Sequence, residues 1–205
     1  ITRFVQLGPM ALAVGVLPYP LTFLCTDLIS ELYGRARANF MVSVGPALNL
    51  FILGTMWLAN AMPPVGPENQ PPWQLIQLAE GVGLPNGDSI EGSVELFSLL
   101  YATTTGAVMA SMAAYIAAQY CDVYIFHFLK RLTKGKHLWL RNNLSTIPSQ
   151  FLDTFLILCL LCAGGAIEWE RFTTLFFQGF LFKIIIALID TPIIYLVVLL
   201  LRKEF

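Results

Sequence analysis

Long apolar stretches constrain this chain more than any other feature of its sequence. Several reach the roughly 20 residues that a helix needs to cross the hydrocarbon core of a bilayer. Of the 205 residues, 57% are hydrophobic and 12% are charged, whereas a soluble domain is roughly 45–50% apolar and about 25% charged. The sequence therefore predicts an all-α polytopic membrane protein that forms a single transmembrane domain over residues 1–205.

The apolar pattern and its Pro and Gly breaks divide the chain into five predicted spans. The first span is short, and it opens at Pro18 and Pro20 and closes at Gly34, the usual order of helix-starting Pro and helix-ending Gly. So short a helix is typical of one that begins below the membrane surface beside a cavity. The predicted spans are about 18–33, 38–61, 94–120, 144–163 and 172–201, with an outer connector at 62–93 and a cytoplasmic interfacial helix at 122–141.

The basic residues are clustered, and their positions predict the orientation in the membrane. Lys and Arg are absent between Arg37 and Lys130, and the basic residues fall on alternate connections. Cytoplasmic connections carry an excess of Lys and Arg, so Lys134 and Arg202 are predicted to face the cytoplasm and Asn86 the outside. Residues 1–17 are predicted to be a connector at one membrane face. Because the chain begins without a Met, we expect a sixth, N-terminal helix before it, which would put both ends in the cytoplasm.

Ionisable side chains interrupt the predicted spans. A charged group at the centre of a membrane helix costs roughly 2.5–3.5 kcal/mol on insertion scales, so such groups usually face a protein interior and carry function. Lys183 lies too far from Asp190 along its own helix for a direct pair, so it is expected to meet Asp27 or Asp153 from another helix. The alternative is a buried charge network that only fixes helix packing. The predicted pocket residues are Asp27, Asn143, Gln150, Asp153, Lys183 and Asp190.

Cysteine and histidine give no metal or redox signal. Cys159 and Cys162 form a C-x-x-C within an apolar span, where packing of small side chains is the better interpretation. His127 and His137 lie among basic residues, without an acidic or thiol partner at metal-ligand spacing. The sequence predicts no metal, no cofactor and no enzymatic activity, since it has no catalytic set of residues. The membrane interface explains the basic segment 130–141 more simply than nucleic acid does.

Four segments, in order along the chain, carry a resemblance to a known family. They are YPLTFLCTDLISELYG (19–34), AQYCDVYIFHFLK (118–130), KGKHLWLRNNLSTIPSQFLDT (134–154) and FKIIIALIDTPIIY (182–195). In these segments the chain resembles the queuosine-precursor transporter family, formerly known as a vitamin-uptake transporter family. The resemblance implies six spans, a bacterial inner-membrane location and uptake of 7-deazaguanines such as queuine, preQ0 or preQ1 for tRNA modification. The chain departs from the family in lacking the first helix and in its long connector at 62–93.

The substrate that the resemblance implies fits the chemistry of the predicted pocket. A 7-deazaguanine presents N1–H and an exocyclic amine side by side, and one carboxylate can accept hydrogen bonds from both. A second carboxylate would balance an aminomethyl cation on the substrate. Gln150, Asn143 and Lys183 are candidate donors to its O6, and Phe23, Tyr19 and Trp139 are candidate stacking partners for its ring.

The sequence leaves other transport functions open. One is the substrate-capture subunit of an ATPase-energised vitamin importer, and another is a carrier of a different purine-like or vitamin-like molecule. A channel is disfavoured because the pocket charges are few and mixed in sign. The expected partners are the small-molecule substrate and the lipid bilayer, without direct contact with nucleic acid, and homo-oligomerisation and the energy source stay open.

Overall fold

Five α-helices dominate the computed structural model, which describes residues 3–8, 10–83, 87 and 89–201. They are α1 (Tyr19–Tyr33), α2 (Arg35–Ala61), α3 (Leu96–Leu132), α4 (Leu138–Ala163) and α5 (Trp169–Leu201). Within these residues, four helices, α2 to α5, are long and apolar enough to cross a membrane. The predicted all-α polytopic membrane fold is confirmed.

The first helix is shorter than a full span. α1 has 15 residues, about 22 Å at 1.5 Å per residue, against a hydrocarbon core of about 30 Å. It ends at Gly34, whose φ of 83° lies in the left-handed region that glycine adopts without steric cost. Because Gly34 alone separates α1 from α2, it forms the corner between them.

The third helix is longer than predicted. α3 continues for 37 residues to Leu132, so the predicted end at 120 is wrong. The prediction of a separate interfacial helix at 122–141 is also wrong. That segment is divided between the end of α3, a turn and the start of α4. Asp122 therefore lies within a membrane helix, where it is completely buried.

Short antiparallel strand pairs lie, for most of their length, within the two segments that the sequence predicted as connectors, 1–17 and 62–93. β1 (Phe4–Leu7) pairs with β2 (Met10–Ala13) across a turn at Gly8, and β2 packs against α5. In the outer connector, β3 (Leu75–Gln77) pairs with β6 (Ser93–Glu95), and β4 (Val82–Gly83) pairs with β5 (Ser89–Ile90). The first pair matters for the site, because its Leu12 is buried against the helices.

α4 lies between α3 and α5 in the bundle. It packs most extensively against α3 and next against α5, while α1 contacts α2, α3 and α5. A cluster of phenylalanine rings, including Phe151, Phe155 and Phe176, joins α4 to α5. The outward side of α2 exposes large apolar groups such as Phe40 (72%) and Phe51 (70%), as expected of a surface that contacts lipid.

The basic connections that the structure describes lie together at one end of the bundle. Lys130 at the end of α3 contacts Glu31 at the end of α1. The hydroxyl of Tyr195 near the end of α5 accepts a hydrogen bond from the backbone N–H of Trp139 at the start of α4, at 3.1 Å. Asn86, Arg202 and Lys203 fall outside the described residues, and the side of the membrane that this end faces stays a prediction.

Candidate functional site

α4 carries a buried polar face along about half of its length. Polar side chains recur at helical spacing, so they share the side of α4 that faces the other helices. From Arg141 to Asp153 this face extends about 18 Å along the helix axis. Such a face inside an apolar bundle is costly unless its groups meet polar partners. Its buried members are Arg141, Asn142, Ser145, Thr146, Ser149, Gln150, Asp153 and Thr154.

A buried ion pair lies at one end of this face. Lys183 Nζ of α5 is 2.6 Å from Asp153 Oδ2, and it also donates a hydrogen bond to Thr154 Oγ1 at 3.0 Å. The side chains of Lys183 and Asp153 are 3% and 6% exposed. Lys183 therefore pairs with Asp153, one of the two carboxylates that were expected to meet it.

A cavity of about 300 Å³ opens beside this ion pair. Its walls are mostly apolar and come from the β1–β2 hairpin, α3, α4 and α5, with Leu12, Ser111 and Leu158 among the lining residues. Lys183 and Asp153 also line it, so the cavity combines apolar walls with a few polar groups. That combination is typical of small-molecule sites, whose volumes start at about 300 Å³.

Two carboxylates lie next to each other deeper in the bundle. Asp27 of α1 is 2% exposed and accepts a hydrogen bond from Thr146 Oγ1 at 3.1 Å. Asp122 of α3 lies beside Asp27, with the hydroxyls of Ser145 and Ser149 nearby. Neither oxygen of Asp122 makes a hydrogen bond of good geometry within the described part of the chain. Two neighbouring carboxyl groups of this kind can share a proton with each other or accept hydrogen bonds from a bound donor or cation.

Buried amides lie on α3 and α4 within about one helical turn of Asp122 and of Thr146, which binds Asp27. Gln119 is completely buried, and neither its oxygen nor its nitrogen has a hydrogen-bond partner among the described residues. The same holds for the side-chain oxygens of Asn142 and Gln150. An unpaired buried polar group costs about 1–3 kcal/mol, so a region with several of them is a candidate site for water or for a polar ligand.

The remaining predicted site residues lie around this region with different surroundings. Phe23 is buried on α1. Asn143 donates to Thr191 Oγ1 at 2.9 Å and thereby links α4 to α5, beside the half-buried Asp190. Trp139 is 51% exposed on the outside of the bundle, and the side chain of Tyr19 is outside the described part. The structure therefore brings Asp27, Gln150, Asp153 and Lys183 to the buried face of α4 and leaves Asn143 and Asp190 at the boundary with α5.

Asp122 is the main site residue that the sequence pattern did not predict. The predicted end of the third span at 120 put Asp122 in an interfacial segment. A signal was present, since Asp122 follows Gln119 by three residues and so shares its helix face. Continuing the helical period past Gln119 would have placed this carboxylate in the interior.

An ion-pair network closes the basic end of the polar face. Glu31 Oε2 is 2.7 Å from Arg141 Nη2 and 2.9 Å from Lys130 Nζ. Arg141 is completely buried, donates to the backbone oxygen of Lys136 and lies 5.5 Å from the ring of Phe126. The spacing of Glu31 and Arg35 favours an interfacial pair within one helix, but these two ion pairs join α1 to α3 and α4 instead. Because Glu31 lies one turn from Asp27, the network separates the buried carboxylates from this end of the bundle.

Removing the charge of Glu31 is expected to destabilise the protein. Glu31→Gln leaves the buried guanidinium of Arg141 without its carboxylate, and breaking one side of a buried ion pair typically costs about 3–5 kcal/mol. The melting temperature of the purified variant should fall well below that of Glu170→Gln, a matched change at an exposed position. Equal melting temperatures for the two variants would contradict a central role for this network.

Comparisons with known proteins identify the family. The family model described as "Putative vitamin uptake transporter" matches residues 13–197, which include Asp27, the polar face of α4 and Lys183. A relative from Bacillus subtilis (strain 168), named "Probable queuosine precursor transporter", is 26% identical over 198 residues, covering 95% of this chain and 75% of the relative. No solved structure matches the chain. With nearly all of its membrane helices inside the family match, the chain belongs to the vitamin uptake transporter family.

Proposed function

We propose that this protein imports queuosine precursors, 7-deazaguanines such as queuine, preQ0 or preQ1, across the bacterial inner membrane for tRNA modification. The name of the Bacillus relative supports the substrate class. The observation that carries the proposal is the group of buried carboxylates and amides on α1, α3 and α4, several of whose oxygen and nitrogen atoms lack partners among the described residues. A heterocycle with several adjacent donors and an acceptor would satisfy such a group.

In this proposal the carboxylates read the guanine-like edge of the substrate. Asp27 or Asp122 accepts hydrogen bonds from N1–H and the exocyclic amine, and the other balances an aminomethyl cation where the substrate carries one. The amides of Gln119 and Gln150 can donate to O6, and buried Phe23 offers a ring for stacking. Asn143 and Asp190 lie closer to the α4–α5 boundary, where they would contact the substrate as it leaves the site towards the cytoplasm.

The Lys183–Asp153 pair would couple loading to the conformational change. Lys183 holds Asp153 in the structure and lines the cavity, so the O6 of an entering substrate would meet Lys183 before the buried carboxylates and would compete for the same ammonium. A ligand shifts a conformational equilibrium only through contacts that differ between states. An exchange of the Lys183 partner would supply such a difference.

The proposed orientation in the membrane assigns the cavity and the Glu31 network to opposite sides of the bilayer. With the basic end and the C-terminus in the cytoplasm, the cavity beside Lys183 lies towards the outside, and the Glu31 network lies towards the cytoplasm. The structure then corresponds to a form that is closed on the cytoplasmic side. Release of substrate requires the α1, α3 and α4 contacts at Glu31 to loosen.

Uptake in cells that cannot make 7-deazaguanines tests the proposal. We expect a strain without its own synthesis or uptake of these compounds to incorporate labelled queuine, preQ0 or preQ1 into tRNA only when this protein is produced. Labelled guanine supplied in the same way is the control, because general purine leakage would deliver it equally. Membrane-inserted protein that gave no gain in labelled tRNA with any of the three precursors would refute the substrate assignment.

A further inference from the structure

A second concave site lies at the basic end of the bundle, away from the polar face of α4. It is formed where the α1–α2 corner meets the end of α3, and it has a volume of about 280 Å³. Its lining residues are Arg35 from the first turn of α2 and His127, Lys130 and Arg131 from the end of α3. The Arg and Lys side chains donate hydrogen bonds through nitrogen, and a nitrogen of His127 does so when it carries a proton.

The positive charge of this site exceeds what its neighbouring carboxylate can balance. Lys130 pairs with Glu31, but the same Glu31 oxygen also binds Arg141. One carboxylate offsets a single positive charge, so Arg35 and Arg131 add to a net positive site. The Nε2 atom of His127 is buried and has no hydrogen-bond partner within the described part of the chain. The site therefore offers several donors to an anion.

An apolar stripe runs from this site along the outer surface of α3. Phe128, Tyr124 and Tyr120 are spaced four residues apart, so they share one side of the helix and run from the site towards its middle. They are 50%, 55% and 39% exposed, as expected for side chains that contact acyl chains. The stripe begins at the site itself, because the Arg35 guanidinium lies 5.5 Å from the centre of the Tyr124 ring.

We infer that this site binds the phosphate of an anionic phospholipid whose acyl chains lie along Phe128, Tyr124 and Tyr120. The net positive charge of the site favours an anionic group, and the adjoining apolar stripe favours a lipid as the molecule that carries this group. Basic pockets between membrane helices bind lipid headgroups by this combination of charge and apolar contact. The bound lipid would hold the α1–α2 corner against α3. This inference does not depend on the transported substrate.

Native mass spectrometry of the detergent-purified protein tests the inference. We expect phosphatidylglycerol to stay bound more tightly than phosphatidylethanolamine with the same acyl chains, because only the former has a net negative headgroup. Arg35→Gln/Arg131→Gln should weaken phosphatidylglycerol binding roughly 30-fold, since each cation beside an anionic lipid surface contributes about fivefold. Lys134→Gln/Lys136→Gln removes the same charge from the exposed turn next to the site and should leave binding unchanged.

Further variants separate the lipid site from its alternatives. Arg35→Lys/Arg131→Lys keeps both charges and should bind phosphatidylglycerol to within a few-fold of the unmodified protein, even if the Gln pair melts at a lower temperature. Equal binding of the two lipids, equal weakening in the Lys134/Lys136 control, or failure of the Lys pair to bind would overturn the inference. Displacement of the lipid by millimolar inorganic phosphate would instead identify a site for a soluble anion and overturn it as well.

Discussion

Lys183→Met is expected to abolish uptake of the 7-deazaguanine while the protein still inserts into the membrane. The change removes the ammonium that binds Asp153 and Thr154, and with it the proposed donor to the substrate. It also leaves Asp153 buried without its ion-pair partner, so the melting temperature should fall. Uptake assays in cells and thermal unfolding of the purified protein measure the two effects separately.

A second substitution distinguishes a functional ion pair from a structural one. Lys183→Met/Asp153→Asn removes both charges, so it should recover most of the stability without recovering uptake. Lys134→Met is the matched control, because it removes a lysine ammonium from an exposed turn and should alter neither uptake nor the melting temperature. Normal uptake by Lys183→Met, or recovery of uptake in the double variant, would show that the pair only holds α4 against α5.

Asp122→Asn is expected to lower uptake without lowering stability. Asn has the same shape as Asp, but it replaces one acceptor oxygen with a donor, so one substrate N–H loses its partner. Loss of a hydrogen bond to a charged group costs about 1.5–3 kcal/mol, or roughly 10- to 150-fold in apparent affinity. Asn also offers Asp27 an N–H donor in place of a second carboxyl group, so the melting temperature should stay the same or rise.

Asp122→Asn is expected to lower uptake but not the melting temperature, and this difference makes the experiment decisive. A residue that only fixes helix packing would lose stability when it is changed, and uptake would follow the amount of folded protein. Glu168→Gln, a neutralisation at an exposed turn, should alter neither quantity. A lower melting temperature for Asp122→Asn together with normal uptake per folded molecule would remove Asp122 from the site.

The sequence revealed those site residues whose presence in a membrane helix is costly. Asp27, Asp153 and Lys183 each interrupt an apolar run, and the cost of a charge in hydrocarbon makes such an interruption informative without any knowledge of the fold. Asp122 escaped the same argument because basic residues follow it closely, which suggested that the span had already ended. The assignment depended on where α3 ends, and helix ends are the least certain part of any reading of sequence.

Other parts of the site depend on tertiary structure and leave little trace in the sequence. Ser145 and Ser149 donate to backbone oxygens within α4, as hydroxyls in membrane helices commonly do, so nothing marked them as neighbours of Asp122. The β1–β2 hairpin is similar, because two strands of four residues give too short a pattern to separate them from a connector. Only the packing of β2 on α5 makes Leu12 part of the cavity wall.

The short, charged α1 has a consequence for how the protein is made. Asp27 and Glu31 disfavour insertion of α1 by itself, and the groups that bind them, Thr146 and Arg141, follow 119 and 110 residues later in the chain. At a synthesis rate of about 5–20 residues per second, α1 must wait on the order of ten seconds for α4 to be translated. We therefore expect α1 to settle in the bilayer after the longer helices, held meanwhile at the translocation machinery or the membrane surface.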